Sequence, residues 1–471
     1  MVALPLGSVT TFGNTINGPS SSESPYLVRT QPGVVTKSIL TVGDTVNYKA
    51  DGVTPYRLVG IPDGLGAFDN GDGTFTLLVN HEVPANRSGI PLGIVRDHGF
   101  AGSFVSKWII DTDTLSVLHG EDLIKHAFQW DVATQSYQPL TTAFLRFCSA
   151  DLPASTAFYN PATGLGYAGQ IFMNGEESGS EGRCFAHLMD GNSYELPWLG
   201  KFSHENSVAN PGTGDLTVVV GLDDAVGGQL YVYVGQKTDS ADPIAAAGLR
   251  DGNLFGVKVT GYSTEPAGGI PSGTPFTLYN LGDVSGKTGA QLETDSGNNV
   301  TGFNRPEDGS WDPQNPNDFY FVTTASFTGP SRLWRLRFDD LSNLPAGGTL
   351  SMLLDGTEGQ KMMDNITVNT RVEVIIQEDV GGNDHIGKVW RYNIPSDTLE
   401  LVAEHDPDRF APGGSDFLTN DEESSGVIPA FDILGEGWYL MDVQAHYATD
   451  AELVEGGQLL AIHIPPGPKK K

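Results

Sequence analysis

Short apolar strands that end in acidic or amide residues recur along this chain, and they are its main source of possible metal ligands. The clearest lead into Glu82, the pair Glu176 and Glu177, or the pair Asp223 and Asp224; the full set is 77–82, 171–177, 217–224, 373–379 and, less clearly, 438–444. Carboxylate and amide oxygens are the ligands that calcium prefers. If the strand ends meet in space, the sequence predicts an oxygen-rich metal site.

The elements that could bring these strand ends together are the blades of a β-propeller. A second apolar strand follows most of the first ones, at 104–110, 229–234, 333–338, 388–392 and 458–463. Repetition of a small antiparallel sheet is the signature of a propeller, and no stretch has sustained helical periodicity. We therefore predict an all-β fold, a β-propeller of six blades with seven as the alternative. The blades are expected to open near residues 64, 159, 207, 305, 365 and 427.

The rest of the chain is expected to extend this single domain. Residues 1–46 are rich in Pro, Gly and Ser and predict an irregular N-terminal arm, 47–464 form the propeller, and 465–471 read as a disordered tail. The unequal spacing of the strands predicts long inter-strand insertions at about 113–147, 236–300 and 339–363. Long loops on a rigid scaffold often carry function. The last strand is expected to close the ring beside N-terminal sequence.

Composition restricts the partners. The 471 residues include 58 acidic and 27 basic side chains, a net charge of −31, which disfavours nucleic acid and anionic membranes. No apolar run reaches membrane-spanning length. Cys148 and Cys184 are the only cysteines; spacing alone leaves open whether they pair. Charge, few cysteines and calcium-type ligands together predict a secreted protein. Oligomeric state is left open.

Several local clusters could carry chemistry, although each also has a structural explanation. His204, Glu205 and Asn206 form a compact ligand set, while Arg305 and Glu307 flank a proline. A guanidinium is suited to bind phosphate or carboxylate in bidentate fashion; a plain salt bridge is the alternative. Sequence patterns of serine hydrolases, zinc proteases, P-loops and dinucleotide folds are missing.

Taken in order, these clusters resemble the PhoX-type alkaline phosphatase family. The matching elements span about residues 55–463: Asn80-His81-Glu82, Cys148 followed by Glu176-Glu177, Lys201-Phe202-Ser203-His204-Glu205, Arg305-Pro306-Glu307 and Gln444-Ala445-His446. The resemblance implies a six-bladed propeller, exported by bacteria, that hydrolyses phosphate esters at a cluster of ferric iron and calcium. This chain departs from the family in one respect. Family members usually carry the cysteine in a short Gly/Trp-rich segment just before the Glu-Glu pair, whereas here that segment is missing and a longer one separates Cys148 from Glu176.

The resemblance also implies roles for individual residues. Cys148 would be the iron-contacting thiolate and Arg305 would bind the substrate phosphate, which makes these two the predicted catalytic residues. The implied metal ligands are Cys148, Glu205, Glu307, Glu177, Glu176, Glu82 and Glu378, the last two assigned mainly from their strand-end positions.

The function expected from the sequence is that of a secreted phosphatase acting on a small-molecule phosphate monoester, with calcium and iron as cofactors. Two alternatives remain at this point. One is a calcium-dependent esterase or lactonase, and the other is an extracellular propeller that binds calcium without catalysis.

Overall fold

The computed structural model describes residues 15–467 except 85, 88 and 89. Strands dominate this part of the chain, and the N-terminal elements come first. They are β1 (Thr15–Ile16), β2 (Leu27–Arg29), β3 (Val35–Thr41) and the hairpin of β4 (Thr45–Tyr48) and β5 (Pro55–Arg57).

The first three blades follow, each opening with its innermost strand. The first contains β6 (Pro62–Asp69), β7 (Thr74–His81), β10 (Phe104–Asp111) and β11 (Val117–Asp122), with a small hairpin of β8 (Asn86–Arg87) and β9 (Ile90–Pro91). The second contains β14 (Phe147–Asp151), β17 (Ile171–Glu176), β18 (Cys184–Leu188) and β19 (Asn192–Glu195), extended by β12 (His126–Asp131) and β13 (Ser136–Pro139), with a separate hairpin of β15 (Tyr159–Asn160) and β16 (Leu165–Gly166). The third contains β20 (His204–Ala209), β21 (Leu216–Asp223), β22 (Val226–Gln236), β23 (Asn253–Val259) and β24 (Thr274–Gly282).

The last three blades have the same order. The fourth contains β26 (Pro306–Trp311), β27 (Asp318–Thr323), β28 (Arg332–Phe338) and β29 (Gly348–Leu354), and the short β25 (Gly302–Asn304) before it pairs with β22. The fifth contains β30 (Met363–Val368), β31 (Glu373–Glu378), β32 (Lys388–Asn393) and β33 (Thr398–His405), with β2 on its outer edge. The sixth contains β34 (Glu422–Pro429), β35 (Trp438–Ala448) and β36 (Glu455–His463), completed by β3 and β1.

Helices are short and lie in the connections. They are α1 (Pro243–Ala246), α2 (Gly289–Ser296), α3 (Pro407–Phe410) and α4 (Phe431–Leu434), with 3₁₀ turns at Ser155–Ala157, Pro197–Leu199, Gly297–Asn299, Leu341–Ala346 and Ile394–Ser396. Within the described ranges, none of these helices has the length and apolar character needed to cross a bilayer.

The six blades form a closed ring. Each innermost strand contacts the innermost strand of the next blade, and β34 of the sixth returns to β6 of the first. Antiparallel pairing of β3 with β36 joins the N-terminal and C-terminal segments in one blade. The predicted six-bladed propeller is therefore confirmed, and so is closure by the last strand beside N-terminal sequence.

The second strand of each blade reads as a continuous apolar run because both of its faces are buried between neighbouring blades. In β31, Val374 and Ile376 pack in the cluster that contains Tyr320 of the fourth blade. Ile375, which points to the opposite face, packs in the cluster that contains Tyr439 of the sixth blade. Each such side chain contributes roughly 1.5–3 kcal/mol by burial, so these strands hold the ring together.

Three expectations about chain organisation differ from the structure. The second blade opens at Phe147, and the expected opening at Tyr159 is a small hairpin outside the blade. The segment predicted to be an irregular arm carries β1–β3, which add to the fifth and sixth blades. Parts of the predicted insertions are outer blade strands, namely β11, β23, β24 and β29. Outer strands are half-exposed, so their apolar signal is weaker than that of the second strands.

Candidate metal centre

One position recurs in all six blades and points to the ring axis. It is the second residue of the innermost strand, and each blade places a metal-ligand type there: Asp63, Cys148, Glu205, Glu307, Asp364 and Glu423. All six side chains are buried. We call this set the inner ring.

A bulge at the start of the innermost strand sets the direction of these side chains. In the first five blades the first residue of the strand pairs normally with the second strand, and the register then shifts across the next two residues. A bulge leaves residues outside the ladder and re-aims their side chains. In the sixth blade the shift comes later, after Ser425.

A second position also recurs in all six blades. In each blade, one residue of the second strand pairs with the first residue of the innermost strand, and the recurring position is the residue that follows it. In every blade its backbone N–H donates to the carbonyl just before the innermost strand, at 2.8–3.1 Å: Glu82 to Ile61, Glu177 to Arg146, Asp224 to Ser203, Thr324 to Arg305, Asp379 to Met362 and His446 to Asp421. We call the six donors the outer ring. Five of them have titratable side chains, and the fourth blade has a threonine.

Ten of the twelve residues in the two rings, all except Asp63 and Thr324, line a cavity of about 360 Å³. Ten carboxyl groups, two arginines, Cys148 and His446 are among the side chains that line it. With so few cations, the carboxylates repel one another unless they bind protons or metal ions.

Three overlapping groups of residues could each hold an ion, because the ligand atoms within each group all lie within 4.8 Å of one another. They are Asp63, Glu82 and Cys148; then Cys148, Glu177 and Glu205; then Glu205, Glu307 and Asp364. Cys148 and Glu205 are each shared by two groups, so the groups form a continuous row across the first to fifth blades. This row is the candidate metal centre.

The residues of the row suit hard cations because most of them are acidic and because several of their oxygens lack hydrogen bonds within the described part of the chain. Asp63 Oδ1, Glu205 Oε1 and Asp364 Oδ1 are buried and have no hydrogen-bond partner among the described residues, a costly state for a polar oxygen. Burial, together with Asp63 and Glu205, raises the pKa of the Cys148 thiol well above its usual value. Burial, with Asp224 and other carboxylates, raises the pKa of Glu205 to about 8. Cations would relieve both effects.

Two arginines occupy the same position in different blades, just before the innermost strand. Arg146 forms ion pairs with Glu82 (Nε to Oε1, 2.9 Å) and with Glu177. Arg305 binds Asp224 through two hydrogen bonds of 2.8 and 2.7 Å and lies 3.0 Å from Glu307 Oε1. The arginines therefore flank the third blade, which carries Glu205, and face the same cavity.

Arg305 also has a left-handed backbone, with φ of 60°. This conformation is unfavourable for residues other than glycine and tends to be retained where the surroundings enforce it, often at functional sites. Ile61 and Met362, at the equivalent position in the first and fifth blades, share it with φ of 53° and 39°. The left-handed turn before the innermost strand thus recurs in three of the six blades.

Most of the residues predicted from the sequence lie at this centre. Glu82, Cys148, Glu177, Glu205, Arg305 and Glu307 all line the cavity. Cys148 and Cys184 are both free thiols, which resolves the pairing question, and Cys184 Sγ contacts Ser207 Oγ at 3.3 Å.

The structure does not bring Glu176 or Glu378 into the cavity. The Glu176 carboxylate binds Arg183 and accepts from Leu145 N–H at 2.8 Å. The Glu378 carboxylate accepts from Lys361 N–H and Trp390 Nε1, both at 2.8 Å. Side chains alternate along a strand, so the next residue in each case, Glu177 or Asp379, faces the axis instead.

Sequence reasoning missed several residues of the centre. Asp63, Asp364, Arg146 and Glu423 were not identified as site residues, Asp224 was named only as a strand end, and Asp379 and His446 appeared only within longer motifs. The missing signal was the position itself, the second residue of each innermost strand, which becomes visible only once the strands are aligned by their pairing.

Comparison with known proteins gives a fold relationship and no sequence relationship. No family model and no curated protein matches the chain. Among solved structures, Pseudomonas fluorescens PhoX in complex with vanadate, a transition-state analogue, superposes with a TM-score of 0.60 at 12% identity, covering 96% of this chain and 97% of that one. Trypanosoma rangeli sialidase matches with a TM-score of 0.38 at 9% identity, over 93% and 59% of the two chains. The calcium-binding protein regucalcin from Agrobacterium tumefaciens matches with a TM-score of 0.27 at 14% identity, over 65% and 89%. The propeller architecture is thus shared with PhoX at the level of a distant structural relationship.

Proposed function

We propose that this protein is a metal-dependent phosphatase that hydrolyses small-molecule phosphate monoesters, as a divergent relative of the PhoX-type alkaline phosphatases. The observation that carries the proposal is the row of three ligand groups with an arginine on each side of Glu205. Chain-wide similarity of fold to PhoX supports it.

The ligand types indicate which metals fit. Carboxylate oxygens make up the group of Glu205, Glu307 and Asp364, and such a set suits calcium. The two groups that contain Cys148 add a thiolate, which suits iron better than calcium. We propose calcium and iron as the cofactors, with Glu82 and Glu177 completing the set.

In the reaction, the phosphorus–oxygen bond to the alcohol breaks, a water oxygen joins phosphorus, and the alcohol leaves with a proton. When bound, the metal ions would supply Lewis-acid activation and offset charge on the phosphoryl oxygens. Arg305 would donate hydrogen bonds to those oxygens, and Arg146 is placed to do the same from the second blade.

A phosphate dianion must enter a cavity lined by ten carboxyl groups. Repulsion would prevent this unless cations occupy the row, because two guanidiniums balance only two of those charges. The proposal therefore requires that metal-free protein bind phosphate poorly and that metal restore binding. Secretion, proposed from composition, would give access to extracellular calcium.

The test is hydrolysis of 4-nitrophenyl phosphate by protein loaded with calcium and iron, compared with Arg305→Gln. We expect the variant to lose roughly a hundredfold or more in kcat/KM, since a charged donor to the transition state contributes about 3–4 kcal/mol. Arg337→Gln is the control, because Arg337 binds Asp318 on the outer part of the same blade. Unchanged activity in Arg305→Gln, or no activity in the loaded parent, would refute the proposal.

A further inference from the structure

A second cavity of about 350 Å³ adjoins the metal centre between the second and third blades. Asp224 lines both cavities. The walls of the second one come from the chain immediately around the centre: Gly179 and Ser180 follow Glu177, and Lys201 to Ser203 precede Glu205. We call it the side cavity.

The outer wall of the side cavity is built by the long connection between the third and fourth blades. Helix α2 begins there with a capping box between Thr288 and Gln291. Gly289 packs so closely on the Ser180 carbonyl that a Cβ would lie 1.5 Å from that oxygen. Glycine is therefore required for the approach, which places Glu293 of α2 on the cavity wall.

Three polar side chains with different hydrogen-bonding capacities line the side cavity. They come from three separate segments: Ser180 after β17, Lys201 before β20 and Glu293 in α2. Ser180 and Glu293 are exposed, and Lys201 is half-buried. The Lys201 ammonium also interacts electrostatically with Glu195, which is not part of the cavity lining.

The three groups together suit hydroxyl groups. Lys201 can only donate hydrogen bonds, Glu293 can only accept them, and Ser180 can do both. A neutral sugar or polyol presents many hydroxyls, each of which donates and accepts. An anionic leaving group would contact Lys201 favourably but would meet Asp223, Asp224 and Glu293 in the same space.

We infer that the side cavity binds the alcohol half of the substrate, and that the substrates are phosphate monoesters of neutral polyhydroxylated alcohols. This inference rests on the proposed phosphatase function. The phosphoryl group would lie at the metal centre beside Arg305, and the sugar or polyol would extend past Asp224 toward Lys201 and Glu293.

The test compares kcat/KM for glucose 6-phosphate with that for 4-nitrophenyl phosphate in metal-loaded parent, Lys201→Met and Ala225→Trp. Ala225 lines the side cavity and is exposed, so an indole there would fill the space without disturbing the core. We expect each variant to lower the glucose 6-phosphate value about tenfold. Values for 4-nitrophenyl phosphate and for competitive inhibition by inorganic phosphate should stay within twofold.

The matched control is Lys258→Met, because Lys258 is an exposed lysine on β23 of the same blade, outside both cavities. It should leave both substrates unaffected. Equal loss with both substrates in Lys201→Met and Ala225→Trp would overturn the inference while leaving the phosphatase proposal intact. A parent preference for 3-phosphoglycerate, whose leaving group is anionic, would overturn the substrate class. Absence of hydrolysis of every ester by the loaded parent would refute both proposals.

Discussion

Replacement of Glu205 by glutamine should change protein stability in opposite directions with and without metal. Glu205 is buried and shared by two of the three ligand groups. Glutamine keeps the shape of the side chain and removes its charge. In metal-free protein this removes repulsion, whereas in metal-loaded protein it removes a ligand.

The metal-free effect follows from the pKa of Glu205, which burial and neighbouring carboxylates raise from 4.5 to about 8. The folded protein therefore holds a proton that the unfolded chain releases above pH 4.5, so stability falls as pH rises from about 4.5 to about 8. At about 1.4 kcal/mol per pKa unit, the loss at pH 9 has an upper limit of about 5 kcal/mol. Because Asp224, Asp308 and Glu82 share the repulsion, we expect Glu205→Gln to recover ~1–3 kcal/mol of it.

The metal-loaded effect has the opposite sign. A ligand at a hundred times its dissociation constant stabilises the folded state by about 2.7 kcal/mol. The variant should lose most of this gain. For a chain of 471 residues the unfolding entropy makes 1 kcal/mol equal to about 1 °C in Tm, so both effects amount to a few degrees.

The assay is differential scanning calorimetry at pH 6 and pH 9, with chelator or with added calcium, alongside elemental analysis. Asp151→Asn is the matched control. Asp151 is half-buried, with its pKa raised to about 7 by burial, but it lies at the far end of β14 and outside the metal cavity. Its variant should lose only the share of the pH dependence that Asp151 contributes, and it should keep the full calcium effect. Equal calcium stabilisation in Glu205→Gln and the parent would refute the assignment of Glu205 as a shared ligand.

Three further predictions concern the arginines, the cysteines and the closure of the ring. Arg146→Gln should weaken inhibition by inorganic phosphate roughly tenfold, whereas Arg183→Gln, which removes an arginine of the same blade that binds Glu176 outside the cavity, should not; equal effects would remove Arg146 from the phosphate site. Cys148→Ser should abolish a visible thiolate-to-iron absorption band and Cys184→Ser should retain it, and a band that survives in Cys148→Ser would place the iron elsewhere. Deletion of residues 1–41, which include β3 (Val35–Thr41), should abolish cooperative thermal unfolding because β36 would lose the strand with which it pairs. An unchanged melting curve would contradict the closure of the ring by β3.

The propeller could be predicted from the sequence because its second strands are buried on both faces. Val374, Ile375 and Ile376 form an uninterrupted apolar run for this reason, and similar runs recur at blade spacing. Edge strands such as β11 carry exposed residues on one side and therefore resemble loops.

The inner ring was harder to predict because the start of an innermost strand can have a sequence that is typical of a turn. Asp63 lies between Pro62 and Gly64 in a Pro-Asp-Gly sequence, which is a typical turn signature, although the structure places it in β6. In the outer ring, Glu82 and Glu177 were identified and Glu378 was chosen one residue before Asp379, whereas Thr324 was not identified. Sequence alternation gives the period of a strand but does not fix which residues face the axis, and the bulge that decides this has no clear sequence marker.

The fourth blade differs from the others in its outer-ring residue, and this bears on the approach of the proposed phosphate substrate. Carboxylates occupy that ring in the first, second, third and fifth blades, and His446 occupies it in the sixth. The pKa of His446 is raised to about 11 because the charges of Glu423 and Glu455, the latter hydrogen-bonded at 2.7 Å, outweigh burial. The fourth blade instead has Thr324, whose backbone N–H donates to the carbonyl of Arg305 at 3.1 Å. This sector combines a neutral outer position with a guanidinium, so the charge of Arg305 offsets that of Glu307. A phosphate dianion approaching there would meet less repulsion than at the first or fifth blade, where carboxyl groups occupy both ring positions and no arginine precedes the innermost strand.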